Sequence, residues 1–78
     1  MIHTMETKNR IRELRKSMNL SQETLAAILG TSQQAVSRME NGAYDIPTDL
    51  LVKMADSFNV TTDYILGRTD IKRDLSGQ

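Results

Sequence analysis

The sequence predicts an all-α domain built from five short helices. Three observations carry this expectation. Apolar residues recur at helical spacing, as in Leu25, Ile28 and Leu29, or Leu51, Met54, Ala55 and Phe58. Side chains suited to capping stand before these stretches, and Asn or Gly stands after them. No segment alternates apolar and polar residues as a half-buried strand does.

Residues 1–5 read as a flexible N-terminal tail. A first helix is expected from about Glu6 to Met18, with Ile11, Leu14 and Met18 on one face and Asn19 at its end. Ser21 can cap a second helix near 22–29, where Glu23 suits the helix dipole. Leu20 and Leu25 are placed as a hydrophobic staple. Leu25, Ile28 and Leu29 turn inward, Ala26 is small enough for a close neighbour, and Gly30 ends the helix. Ser32 can cap a third helix near 33–40. Its Val36 and Met39 face inward, which leaves Gln33, Gln34, Ser37 and Arg38 facing out. Asn41-Gly42 is a turn signal. Thr48 is expected to cap a fourth helix, with Asp49 in its first turn and Asn59 at its end. Thr61 can cap a fifth, TDYILG, with Val60 and Ile65 at staple positions and Gly67 as the stop. Residues 68–78 read as a polar tail that frays, with Ile71 and Leu75 four apart for a marginal extra turn. The folded domain is therefore expected over residues 6–67.

Seventy-eight residues make one small domain. Without Cys, its stability must come from an apolar core. No apolar run is long enough to span a membrane, and residues 1–10 lack a signal-peptide hydrophobic region. A cytoplasmic protein is the default expectation. The net charge is zero, but residues 1–20 hold five Lys or Arg against two acids. Lys8, Arg10, Arg12, Arg15 and Lys16 form either a solvated helix face or a phosphate-facing edge. One His, no Cys and no glycine-rich loop leave no catalytic constellation. His3 has no neighbouring ligand, so no metal is expected; no cofactor is expected either, and no small-molecule ligand is evident.

From Gln22 to Asn41 the chain resembles the helix-turn-helix of the phage repressor and Cro family, also called XRE. The resemblance rests on Gln22 at the start, Ala26 at the small position, Gly30 at the turn, apolar Leu25, Leu29, Val36 and Met39, and the ending Glu40-Asn41-Gly42. RIRELRKSMNLSQ upstream and LLVKMADSFNVTTDYILG downstream look like the family's remaining helices. The resemblance implies a lambda-repressor-like five-helix domain that binds double-stranded DNA. It implies phosphate contacts at Gln22 and Asn41, and base contacts from Ser32, Gln33, Gln34, Ser37 and Arg38. It implies a partly buried salt bridge between Arg15 and Glu40, and a dimer contact around Tyr64 and Ile65. Arg10 and Lys8 on the basic first helix are further expected phosphate contacts. Many relatives carry Lys or Arg after Asn41-Gly42. Here the loop reads Ala43, Tyr44, Asp45, Ile46, Pro47, and Asp45 would repel phosphate.

The chemistry of the outward side chains fits a major groove. A Gln amide matches adenine N6 and N7, so Gln33 and Gln34 read as adenine or phosphate contacts. Arg38 reads as a guanine or backbone contact. Ser32 and Ser37 can bond a base edge or a phosphate, and Ala35 can touch a thymine methyl. The expected function is a sequence-specific transcriptional regulator, a small repressor that binds a two-fold symmetric operator as a homodimer. A protein-interaction module of the antitoxin kind, with DNA binding secondary, is the alternative from a different class.

Overall fold

The computed structural model describes residues 9–42 and 46–73. They form five helices: α1 (Ile11–Ser17), α2 (Gln22–Leu29), α3 (Gln33–Glu40), α4 (Thr48–Phe58) and α5 (Thr62–Ile65). No strand occurs among the described residues.

Local chemistry sets most helix ends. The Ser21 hydroxyl accepts the Thr24 N–H at 3.0 Å, and Ser32 accepts the Ala35 N–H at 3.1 Å. Thr61 does the same for Tyr64 at 3.0 Å. Each such cap stabilises its helix by about 1 kcal/mol. At the other ends, α1, α2, α4 and α5 share one backbone solution. A left-handed residue, Asn19, Gly30, Asn59 or Gly67, turns the chain. The next N–H then reaches back to a carbonyl of the last turn: Leu20 to Arg15, Thr31 to Ala26, Val60 to Ala55 and Arg68 to Asp63, at 2.9–3.1 Å.

All five helices contribute to one core of Ile11, Leu14, Leu25, Ala26, Leu29, Val36, Met39, Met54, Ala55, Tyr64 and Ile65. Leu20, Ile46, Leu50, Leu51, Phe58 and Val60 pack around it. Fully burying one such Leu, Ile or Met contributes roughly 1.5–3 kcal/mol. α2 and α3 pack together, α1 packs on α3, and α4 lies against α2 and α5.

Several details differ from the sequence-based expectation. α1 begins at Ile11, not near Glu6, whose own position lies outside the described residues. Asn9 and Arg10 are not helical. Asn9 Oδ1 accepts the Ile11 N–H at 3.1 Å, and the Arg10 N–H is drawn to the Ile65 carbonyl at 2.8 Å. Met18 and Ile28 are half-exposed rather than inward, because each sits at the edge of its apolar stripe. The N-cap of α4 is Pro47, whose extended backbone leaves Thr48 as the first helical residue with no capping bond. α5 stops at Ile65, short of Gly67. The segment after Gly67 is tied back: the Thr61 N–H donates to the Lys72 carbonyl at 2.7 Å.

Candidate nucleic-acid interface

Ser21, Gly30 and Ser32 orient the pair α2–α3. One caps α2, one turns the chain, and one caps α3. Val36, Met39 and Glu40 then anchor α3 in the domain. Two lines of side chains remain on its outer side, each one turn long. Gln34 and Arg38 are exposed, while Gln33 and Ser37 are half-buried beside them. The side chains of Gln34 and Arg38 make no hydrogen bond or ion pair among the described residues. Ser32 is exposed at the head of the helix, with its oxygen engaged in the cap.

Behind this face runs a chain of polar contacts. Gln33 Nε2 donates to Gln22 Oε1 at 2.6 Å, and Gln22 Nε2 donates to Glu40 Oε1 at 3.1 Å. Glu40 is fully buried. Arg15 grips its carboxylate through Nε to Oε2 at 2.5 Å and Nη2 to Oε1 at 3.2 Å, and also donates to the Leu20 carbonyl at 2.8 Å. Arg12 adds Nε to Glu40 Oε1 at 3.3 Å and Nη2 to Asn41 Oδ1 at 2.8 Å. Burial by itself would push the Glu40 carboxyl up. The hydrogen bonds from Arg15, Gln22 and Arg12 outweigh it and hold the group below the usual carboxylate range. The same hydrogen bond from the other side raises Arg15 above its ordinary value.

The expected contact residues therefore divide. Gln33, Gln34, Ser37 and Arg38 share one face of α3 with Ser32 at its start. Gln22 borders that face, but its side chain is spent on Gln33 and Glu40. The Thr24 N–H is held by Ser21, so the N–H groups of Gln22 and Glu23, which have no acceptor inside the helix, are what the start of α2 offers an anion there. The Asn41 side-chain oxygen is likewise taken by Arg12. Arg10 is not an open phosphate contact. Its guanidinium donates to the Tyr64 and Thr69 carbonyls at 3.0 and 2.6 Å, pairs with Asp70 at 2.6 Å and lies 4.1 Å from the Tyr64 ring centroid. Tyr64 and Ile65 are in the core, 7% and 0% exposed, so their side chains offer no outer surface for a dimer contact. Lys8 and Asp45 lie outside the described residues.

Two contributors carried no individual role in the sequence. Asn9 Nδ2 holds the Met39 carbonyl at 2.8 Å, tying the start of α1 to the end of α3. Arg12 joins the Glu40 cluster. Its spacing of three from Arg15 puts both on one helix face, and that was the available signal.

The family model described as "Helix-turn-helix" matches residues 11–65, which run from the first residue of α1 to the last of α5. This chain belongs to the helix-turn-helix family of XRE type. Within that family it is 30% identical over 69 residues to the HTH-type transcriptional regulator ImmR of Bacillus subtilis, an alignment covering 88% of this chain and 54% of ImmR. It is 39% identical over 57 residues to the antitoxin PezA of Streptococcus pneumoniae, covering 73% of this chain and 36% of PezA. The chain thus spans about half or less of the length of these curated relatives. Among solved structures, the restriction-modification controller protein C.AhdI of Aeromonas hydrophila superposes with a TM-score of 0.64 at 33% identity, over 70% of this chain and 83% of that one. The residues matched by the family model include both α2 and α3, the pair whose outer side carries Gln33, Gln34, Ser37 and Arg38.

Proposed function

We propose that this chain is a sequence-specific DNA-binding transcriptional regulator that lays α3 in the major groove. One observation carries the reading: Gln34 and Arg38 stand one turn apart on the exposed side of a capped helix, with no side-chain partner within the described protein. A Gln amide and a guanidinium in that relation match the edges of adenine and guanine. Gln33, held by Gln22, offers a third polar group beside them. A small cytoplasmic repressor acting as a homodimer on half-sites about 10 bp apart is the form that suits such a domain. Repression would follow from occupying a promoter.

Selection of bound sequences from random DNA tests this reading directly. A symmetric site should emerge, and Gln34→Ala should relax preference at one position at a cost of about 1–3 kcal/mol. If Gln34→Ala and Arg38→Ala leave affinity and preference unchanged, α3 does not read DNA. The likeness to PezA favours a second reading, in which the same domain serves a protein partner. That reading predicts a stoichiometric partner that survives nuclease, and no selected DNA sequence.

A further inference from the structure

We infer that Arg12 is the arginine of α1 that grips the DNA backbone, clamped to the end of the recognition helix so that phosphate contact and base reading share one register. The inference rests on the DNA-reading function proposed above. Three arginines lie on or next to α1, and two are already occupied. Arg10 is turned toward α5 and the segment behind it, bound to two carbonyls and Asp70. Arg15 is only 11% exposed and is consumed by Glu40 and the Leu20 carbonyl. Arg12 differs. Its side chain is 46% exposed.

Its two bonds fix where its charge stands. Nε goes to Glu40 and Nη2 to Asn41, the residue that ends α3. A guanidinium has five N–H donors, so three remain for an outside acceptor. The carboxylate that aligns Arg12 also aligns Gln22, and through it Gln33. Glu40 offsets the charge of the buried Arg15, so the positive charge left over is the exposed one on Arg12. Between Ser21 and Pro47 the sequence supplies no basic side chain except Arg38. Arg12, bonded to Asn41, thus sets a cation of α1 at the end of α3.

The test measures salt dependence. Each phosphate neutralised on duplex DNA contributes about −0.9 to the slope of log K against log salt. Arg12→Ala should therefore flatten the slope by about 0.9 per protomer, on the selected site and on random DNA alike. Raising salt fourfold would then cost the variant about 3.5-fold less per protomer than it costs the wild type. Arg12→Lys should restore the slope, because it restores the charge. It should also lower the ratio of specific to random affinity, because an ammonium cannot hold Glu40 and Asn41 as a fork. Lys16→Ala removes a charge one turn along α1 and sets the background. Melting curves confirm folding, and Arg12→Gln replaces Arg12→Ala if the latter unfolds. An unchanged slope in folded Arg12→Ala, or a change no larger than in Lys16→Ala, overturns the inference. Loss of affinity without loss of slope also overturns it, because it would make Arg12 a purely structural clamp. If the wild type selects no DNA sequence, the DNA-reading function itself has failed. If it selects one and Gln34→Ala alters the selection, only the role of Arg12 is at stake.

Discussion

Arginines anchor α1 on two sides, toward α5 and toward α3, and the two anchors are built differently. Toward α5, Arg10 holds carbonyl oxygens, an aromatic ring and Asp70, whose side chain is 97% exposed. Toward α3, Arg15 and Arg12 hold Glu40, whose side chain is 0% exposed. The first anchor keeps its acid in water, where screening and side-chain entropy cancel most of an ion pair. The second has taken its acid out of water and must satisfy it fully. Damage on the α5 side should be absorbed, while damage at Glu40 should spread to the fold and to the outer side of α3 together.

The largest expected effect is Glu40→Ala. It strands the nearly buried Arg15 guanidinium and releases Gln22, at a cost of about 3–5 kcal/mol in denaturant unfolding. Operator affinity should fall further than stability alone explains, because Gln33 loses the support of Gln22. A loss below about 1 kcal/mol would erase the contrast between the two anchors.

Acid should reproduce part of this loss. The folded carboxyl of Glu40 lies below its ordinary value of 4.5, so the unfolded chain binds its proton first. The stability it supplies is present above the unfolded value and is lost as pH falls through the folded one. Melting temperatures taken from neutral pH downward should drop steeply on the acid limb, and Glu40→Gln should flatten that limb. Parallel limbs in the two proteins would remove Glu40 as the cause.

Arg10→Ala comes next, at about 2 kcal/mol, from lost charged hydrogen bonds and the stack on Tyr64. The Arg10 N–H bond to Ile65 survives that change, so α1 keeps its start. DNA affinity measured well below the melting temperature should be unaltered, because this arginine faces away from α3. Asp70→Ala should be the smallest effect, with a melting curve that overlays the wild type. A clear shift there would mean that the exposed pair matters as much as the buried one.

The fold was legible because its signals are local. Ser21, Ser32 and Thr61 announce their helices, and each accepts from the third residue onward. Asn19, Gly30, Asn59 and Gly67 mark four endings. Thr48 misled because a capping side chain one residue late looks the same in sequence, while Pro47 already had the extended geometry a cap requires. Met18 and Ile28 misled because periodicity gives the centre of an apolar stripe but not its width. For the candidate site, what was legible is outward placement. Gln34 and Arg38 could be read from helical phase alone. Arg10 could not, because its acceptors lie 54–60 positions away and no local rule reaches that far. The Arg15–Glu40 pair spans 25 positions and was suggested by family resemblance rather than by spacing.

The outer side of α3 mixes two kinds of residue with different futures under mutation. Gln33 is bound to Gln22, and Gln22 to Glu40, so a change at any of the three disturbs the others. Gln34 and Arg38 owe nothing to the interior. Substitutions at these two positions should leave the fold intact and, if α3 reads DNA as proposed, should change the preferred operator in single steps. A change at Gln33 removes a hydrogen bond to Gln22. The helix thus separates positions that are independent of the interior from positions coupled to it.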